Sequence, residues 1–272
     1  MKNTLTIIIP THERHTLLER SIHYYTLMNV SVLIVDSSPM PLTVKLPENI
    51  DYLHLAEFFF GDKIYYALDK IDTPYACLCA DDDFLTENGL YEGLNFLENH
   101  EDYESVHGQY INFDPADLKN INPMYIDCIN HKNDSNDISE RLKDCFKAPY
   151  IYALHRTKNL KHCLEITLGL PAPTLVEMCI PLVSLLLGKQ KTLPIFWQAR
   201  DRRRYSKYLD EDDNDYLLMM GDPAAMGISC CIASEMNRGR FKILKWDKIQ
   251  KKYYSVSINI HEKGEIDEQD KL

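Results

Sequence analysis

From residue 5 to residue 113 the sequence alternates short apolar runs with segments whose apolar residues recur at helical spacing. The runs, rich in β-branched and aromatic residues, predict strands at 5–9, 31–35, 52–55, 75–80 and 106–113. The intervening periodicity predicts helices that include residues 17–28, 64–71 and 90–97. Because such alternation packs as a mostly parallel sheet with right-handed crossovers, we expect an α/β, doubly wound, Rossmann-like fold.

The second half of the chain continues less regularly. Residues 114–146 are polar and rich in Asn and Asp, which indicates a long excursion around a short helix. We then expect strands at 149–154 and 192–197 and helices at 158–168 and 174–187. After residue 200 the composition becomes strongly charged, and we predict two domains: an α/β domain over 1–204 and a helical C-terminal extension over 205–272.

Composition narrows the class of protein. The 41 acidic residues outnumber the 30 basic ones and give a net charge of −11, which argues against nucleic acid as a partner. The 8 cysteines form no CxxC pair and lie mostly in apolar runs, as in proteins of a reducing compartment. No signal core follows Met1, and the apolar stretch at 182–187 is too short to cross a bilayer, so we expect a cytoplasmic protein.

Three consecutive carboxylates, Asp81, Asp82 and Asp83 (the acidic segment), directly follow the apolar run 75–80. In an open α/β sheet, ligands bind just beyond the carboxyl ends of the strands. Adjacent negative charges repel one another, and carboxylate oxygens are the ligands through which Mg²⁺ or Mn²⁺ is bridged to phosphates. The acidic segment therefore predicts a Mn²⁺ or Mg²⁺ site. The alternative is a solvated turn or the start of a helix, where Asp is also favoured.

Three segments resemble those of the family-2-type glycosyltransferases, which have the GT-A fold. Residues 7–14 resemble the opening Pro-Thr-x-x-Arg segment of that family. Residues 32–38 resemble its second strand, which ends here in Asp36, and residues 79–84 resemble its DxD segment. The resemblance covers residues 4–200 and implies a sheet that binds a nucleotide-sugar donor.

The resemblance also implies roles for residues on the donor side. Thr11, Glu13 and Arg14 would line the nucleotide pocket, and Asp36 would bind the base or the ribose. The acidic segment would hold the metal, with Asp82 orienting its neighbours or contacting the sugar.

Two departures from the family leave choices open. Ala80 stands where the family has the first Asp of its acidic string, so the two carboxylates that form the DxD pair are not fixed. The Asn- and Gly-rich stretch of the family is reduced to residues 61–63. Here Lys63 either reaches the nucleotide or a phosphate, or is an ordinary exposed lysine. We treat His12 and His15, in the loop after the first strand, as bystanders.

On the acceptor side, residues 176–178 resemble the Glu-Asp pair of inverting family members, whose Asp deprotonates the acceptor hydroxyl. Met178 replaces that Asp, so Glu177 is the carboxylate placed to act as the base, within hydrogen-bond reach of the nucleophile. The alternatives are a glutamate favoured only by the helix dipole, and a retaining mechanism without such a base.

Basic residues cluster at two places toward the C-terminus. By the resemblance, the loop with Arg200 and Arg203 would close over the diphosphate, which guanidinium groups bind bidentately. The alternative is a solvated turn paired with acidic residues 210–215. Residues 238–252 mix basic and apolar side chains, which predicts either a helix on the inner face of an anionic membrane or a terminal helix packed on the domain.

These observations and the resemblance favour a metal-dependent, inverting glycosyltransferase with a nucleotide-sugar donor and a saccharide or lipid-linked acceptor. By analogy with the family, its setting would be surface polysaccharide assembly. A sugar nucleotidyltransferase shares the sheet and the acidic site, but residues 10–14 lack the glycines of its first loop. A phosphatase of the haloacid type places its Asp pair after the first strand, whereas these carboxylates follow the fourth. A non-catalytic nucleotide-sugar-binding protein stays open because of Ala80 and Met178.

Overall fold

The structure is a computed structural model that describes residues 1–115, 117–124, 132–143, 145, 150–201, 217–218, 230, 240–247 and 252–259. The chain forms two compact units. One comprises Met1–Phe113 and Asp117–Asp201, and the other comprises Asp114–Ala116 and Arg202–Leu272. The predicted boundary between residues 204 and 205 lies outside the described residues.

The first unit is built on a mixed sheet that has nine strands among the described residues. They are β1 Leu5–Thr11, β2 Ser31–Asp36, β3 Ile50–His54, β4 Tyr75–Leu78, β5 Phe84–Leu85, β6 Tyr103–Asp114, β7 Asp117–Met124, β8 Leu154–Arg156 and β9 Lys189–Asp201. Their order is β3-β2-β1-β4-β8-β6-β9-β5, with β7 paired to β6. Pairing is parallel from β3 to β4 and between β6 and β9. It is antiparallel on both sides of β8 and between β5 and β9.

Helices cover both faces of this sheet. They are α1 His15–Thr26, α2 Phe60–Leu68, α3 Glu87–Asn99, α4 Ile138–Leu142, α5 Thr157–Glu165 and α6 Pro173–Leu187. Helices α1 and α3 pack on the face that carries Ile7 and Ile9, whereas α2, α5 and α6 pack on the face that carries Ile8. Because successive side chains of a strand point to opposite faces, a strand covered on both sides is apolar throughout. This explains the unbroken apolar runs and confirms the doubly wound α/β prediction.

Most predicted elements of this unit are present with their ends shifted, but one strand is misplaced. The segment 149–154, predicted as a strand, contains a 3-10 turn at Tyr150–Tyr152, and strand β8 begins only at Leu154. The prediction was wrong because an apolar run alone does not distinguish a buried turn from a strand. Leu154 pairs with both β4 and β6, so tertiary pairing decides where this strand begins. The excursion over 114–146 contains strand β7 as well as the predicted short helix, α4.

Trp197, on β9, fixes how closely α3 approaches the sheet. Its side chain is 2% exposed, and its ring lies so close to Gly93 that a Cβ there would be 2.8 Å from Cζ3. The indole Nε1 donates a hydrogen bond to the carbonyl oxygen of Tyr152 at 2.9 Å. One buried side chain therefore links a helix, a strand and the 3-10 turn.

In the second unit the described residues include a three-stranded sheet of β10 Leu217–Leu218, β11 Arg240–Asp247 and β12 Lys252–Asn259. Strand β11 lies in the middle of it, parallel to β10 and antiparallel to β12. The long pairing of β11 with β12 extends from Arg240 opposite Asn259 to Asp247 opposite Lys252.

These strands correct two predictions for the C-terminal part of the chain. The helical extension over 205–272 and the basic helix over 238–252 are wrong for the residues that the structure describes there as strands. From residue 240 to residue 243 basic and apolar residues alternate, and this period of two suits a strand rather than a helix. The predicted membrane contact depended on that helix and is therefore not supported. None of the described helices is long and apolar enough to cross a membrane.

We expect Gly93→Ala to destabilise the first unit, although alanine is favoured over glycine inside a helix by about 1 kcal/mol. The added methyl group would lie 2.8 Å from the ring of Trp197, which is too buried to move away. Overpacking of this kind costs about 1–3 kcal/mol. Urea unfolding followed by tryptophan fluorescence measures the change. Glu98→Ala, at an exposed position of the same helix, is the control, and equal stability of the two variants would contradict the prediction.

Candidate functional site

The carboxyl ends of β1, β2 and β4 lie side by side because these strands are parallel neighbours. Helix α1 starts at His15, so only residues 12–14 separate it from β1. Asp36 ends β2, and the acidic segment follows β4 after two residues. This edge of the sheet therefore brings together most of the residues that the sequence predicts for the donor side.

The first two carboxylates of the acidic segment share one guanidinium group. Arg14 Nη1 lies 2.6 Å from Asp81 Oδ1, and Arg14 Nη2 donates to Asp82 Oδ2. The other oxygen of Asp81 accepts a hydrogen bond from Thr11 Oγ1 at 2.6 Å. Asp81 is 0% and Asp82 is 8% exposed, so protein groups rather than solvent compensate these charges.

The third carboxylate, Asp83, faces strand β9 instead. It accepts hydrogen bonds from Gln198 Nε2 at 3.1 Å and from the backbone N–H of Asp201 at 2.9 Å. Arg200 Nε lies 3.7 Å from it. Burial raises the pKa of Asp83 to about 7; the charge of Arg200 opposes this shift, and that of Asp82 adds to it.

Two members of this cluster, Arg20 and Asp201, were missed in the sequence analysis. Arg20 reaches from α1 to Asp201 Oδ2 at 3.0 Å and to the carbonyl oxygen of Asp82 at 3.3 Å. Its guanidinium also lies over the ring of Phe84, 5.3 Å from the ring centre. The one signal in the sequence was a basic residue beside the apolar stripe of the predicted helix at 17–28.

Asp36 already holds a full set of hydrogen-bond donors. One oxygen accepts from His15 Nε2 at 2.7 Å and from the Tyr52 hydroxyl at 2.8 Å, and the other accepts from the backbone N–H and hydroxyl of Ser38. Burial by itself would raise the pKa of Asp36, but these hydrogen bonds outweigh it and lower the pKa. His15 is thus no bystander. A base or ribose contact to Asp36 stays a prediction and would require one of these donors to leave.

Lys63 has neither of the two environments considered for it. It is 3% exposed, and its ammonium group donates to the carbonyl oxygen of Thr11 at 2.6 Å and to Ser37 Oγ at 3.0 Å. Burial lowers the pKa of Lys63 to about 8, although the charges of Asp36 and Asp81 raise it. Lys63 therefore joins the end of β1 to the loop that follows β2.

Arg200 lies within strand β9 and not in the loop that the sequence predicts after the last strand, because pairing with β6 extends β9 to Asp201. Its guanidinium lies 5.3 Å from the ring centres of both Tyr110 and Tyr152, two aromatic residues that the sequence analysis did not single out. Its charge also acts on Glu177, near the start of α6. The protein around this carboxyl raises the pKa of Glu177 above its usual range, and Arg200 partly offsets the shift. Glu177 is nevertheless exposed, so a ligand can reach it.

The start of α6 is fixed by a close contact with α2. A Cβ on Gly61 would lie 3.2 Å from Val176 Cγ2 and 3.0 Å from Thr167 Oγ1. The two helices can approach each other this closely because Gly61 has no side chain. Asp62 Oδ1 also accepts a hydrogen bond from the backbone N–H of Gly169 at 2.8 Å. Glu177, next to Val176, is thereby presented from a rigid element.

The carboxylates in this arrangement do not fit a metal ion. Among the residues that the structure describes, no group of three or more His, Cys, Asp or Glu side chains is placed to hold one. Asp81 and Asp82 face Arg14, whereas Asp83 faces β9, so their oxygens point to different partners. The Mn²⁺ or Mg²⁺ expected from the sequence stays a prediction.

Two other predicted residues do not belong to the charged cluster. Glu13 is exposed, has a φ of 53° and donates its backbone N–H to Ser38 Oγ at 2.7 Å, so it shapes the loop through its backbone. Arg203 lies outside the described residues.

The chain resembles solved structures of TarS from S. aureus, a GT-A-type glycosyltransferase. The TarS 1–349 structure is 12% identical, with a TM-score of 0.56, and the match covers 73% of this chain and 60% of that one. Its complex with UDP is 12% identical over 73% of this chain and 60% of that one, with a TM-score of 0.54. Its complex with UDP-GlcNAc is 12% identical over 74% of this chain and 59% of that one, with a TM-score of 0.55.

These matches establish a GT-A-type glycosyltransferase fold, which confirms the expected fold at a sequence identity too low to assign a particular family. The chain spans about 60% of the length of the TarS 1–349 structure. A family model described as Phage Pam3 gp32-like protein matches residues 203–260, most of which lie outside the described residues. No curated protein matches the sequence significantly.

The lowered pKa of Lys63 predicts a specific pH dependence of stability. Unfolding restores an ordinary lysine of pKa 10.5, so between pH 8 and pH 10.5 the unfolded chain binds more protons than the folded one. The free energy of unfolding that is lost by burying the charged lysine is therefore largest below pH 8 and decreases as the pH rises to 10.5. The free energy of unfolding of the wild type, minus that of Lys63→Met, should increase by roughly 1–3 kcal/mol over this range. Urea titrations at several pH values measure it, and a flat difference would contradict the assignment.

Proposed function

We propose that this chain is a glycosyltransferase that transfers a sugar from a nucleotide-sugar donor to a saccharide or lipid-linked saccharide acceptor in surface polysaccharide assembly. The observation that carries the proposal is the position of Arg200 within a GT-A-type fold: its Nε lies 3.7 Å from Asp83 Oδ2, and its charge also acts on Glu177. A guanidinium suited to phosphate thus lies near an accessible carboxylate suited to take a proton.

The donor side of the proposed site is the edge formed by the loops after β1, β2 and β4. Ligands of α/β sheets bind at the carboxyl ends of the strands, where the strand order reverses, and β1 lies at such a point between β2 and β4. The TarS structures include complexes with UDP and UDP-GlcNAc. A uridine nucleotide is therefore the first donor that we propose to test.

In the proposed reaction Glu177 takes the proton of the acceptor hydroxyl, whose oxygen forms a bond to the anomeric carbon of the donor sugar. The bond from that carbon to the diphosphate oxygen breaks on the opposite side, so the configuration inverts. Arg200 stabilises the negative charge of the departing nucleoside diphosphate. The predicted Mn²⁺ or Mg²⁺ takes no part in these steps, because the carboxylates are committed to other partners.

A non-catalytic nucleotide-sugar-binding protein is a second candidate. One observation favours it: the charges of the acidic segment are already compensated by Arg14 and Arg200 within the protein. Such a protein would bind the donor without releasing nucleoside diphosphate from it. Binding and turnover therefore have to be measured separately.

We expect UDP to raise the melting temperature of the wild type more than the other nucleoside diphosphates do. A ligand at 100 times its dissociation constant adds about 2.7 kcal/mol to the free energy of unfolding, which is easily detected. Arg200→Gln should reduce the shift, because it removes the phosphate-binding group. Lys158→Gln removes a positive charge from an exposed position on α5 and is the control. If no nucleoside diphosphate shifts the melting temperature, with Mn²⁺ or with EDTA, the donor site is refuted.

We expect Glu177→Gln to lower kcat about 100- to 10,000-fold while leaving the UDP-induced thermal shift unchanged, because only the proton acceptor is lost. The measurement is UDP release from UDP-GlcNAc in the presence of a panel of saccharide acceptors. Glu165→Gln, at an exposed position on α5, is the matched control. Full turnover of the Glu177 variant would exclude this residue as the base, and UDP binding without turnover by the wild type would favour the second candidate.

A further inference from the structure

Arg14 lies between the first two carboxylates of the acidic segment. Its two terminal nitrogens contact different carboxylates, Asp81 at 2.6 Å and Asp82. Both aspartates are buried, and the side chain of Arg14 is 15% exposed. A guanidinium that bridges two carboxylates does what a small cation between them would do, since it offsets two adjacent negative charges.

A divalent cation and Arg14 cannot use these carboxylates at the same time. Mg²⁺ binds carboxylate oxygens directly, at about 2.1 Å, and the ion would repel a guanidinium that touches the same oxygens. Asp83 offers no ready substitute, because its two oxygens accept hydrogen bonds from Gln198 and from the backbone of Asp201. Entry of a cation therefore requires Arg14 to withdraw.

The loop around Arg14 has two features that suit a second arrangement. Arg14 Nε is buried and has no hydrogen-bond acceptor among the described residues, so the guanidinium is not fully satisfied where it lies. The preceding residue, Glu13, has a φ of 53°, a left-handed conformation that residues other than glycine rarely adopt. Strained backbone of this kind is often found in loops that change conformation when a ligand binds.

We propose that Arg14 is the resident counter-ion of the acidic segment and competes with a divalent cation for Asp81 and Asp82. In the free protein its guanidinium offsets the two carboxylates, so the fold needs no metal. This competition does not depend on the proposed function.

The test is the affinity of the protein alone for Mn²⁺, measured from the loss of the free-ion signal in electron paramagnetic resonance. If the arrangement without the Arg14 contact is a minor state populated at about 10% or less, removing the competitor raises the apparent affinity roughly tenfold or more. We expect this gain for Arg14→Met. An affinity equal to or below that of the wild type would overturn the proposal.

Arg20→Met is the matched control because it removes the same charge from the same cluster. Arg20 contacts the side chain of Asp201 and the carbonyl oxygen of Asp82 but neither carboxylate that Arg14 holds. An equal gain in both variants would show a general electrostatic effect and would also overturn the proposal. If Arg14→Met does not fold, Arg14→Lys replaces it, since an ammonium group keeps the charge but cannot bridge two carboxylates bidentately. A gain of a few-fold over the wild type is then expected, and no gain counts against the competition.

Nucleotides are left out of this measurement, so its outcome is distinct from that of the donor-binding test. A protein that binds no nucleoside diphosphate but gains Mn²⁺ affinity in Arg14→Met would refute the proposed function and keep the competition. A protein that binds UDP but gains no Mn²⁺ affinity in Arg14→Met would keep the proposed function and refute the competition.

Discussion

The constraint on which the rest of this structure depends is the burial of four aspartates, Asp36 and the three of the acidic segment, at the carboxyl edge of one sheet. A buried carboxylate is tolerated only when charged or hydrogen-bonding partners compensate the loss of water. Three of the four aspartates are consecutive residues, so no single partner can serve them all. The chain compensates the acidic segment with guanidinium groups from the loop after β1 and from β9, and it compensates Asp36 with hydrogen bonds from His15, Ser38 and Tyr52.

The same pairing connects the architecture to the chemistry. Because Asp83 holds Gln198 and the backbone of Asp201, the end of β9 is fixed against the acidic segment, and this places Arg200. Arg200 then lies against Tyr110 and Tyr152, close enough for its charge to influence Glu177. Charge pairs of this kind are strong in the absence of ligand but exchangeable, since a charged ligand can replace one of the partners. The groups that stabilise the fold are thus also those that a phosphorylated donor would engage.

Behind the charged cluster lies a layer of residues whose hydrogen bonds are already made. Asp36 collects donors from His15, Ser38 and Tyr52, and Lys63 joins the end of β1 to the loop after β2. The family resemblance implies a ligand contact for Asp36, and the sequence leaves open whether Lys63 contacts a ligand or is simply exposed. In the structure both groups hold the loops in position, which is how a site formed by short loops keeps its shape.

The sequence by itself determined the strands of the parallel core, the helices on its two faces and the place of the acidic segment, because apolar periodicity follows directly from burial. It also singled out Thr11, Arg14 and Arg200, and the structure places all three against the acidic segment. Only the tertiary structure decided that Arg14 faces two carboxylates, that Arg20 and Asp201 join the cluster, and that residues 240–247 and 252–259 are strands. Those outcomes depend on contacts between residues far apart in the chain. The local sequence pattern does not indicate which distant partner a side chain or a strand will contact.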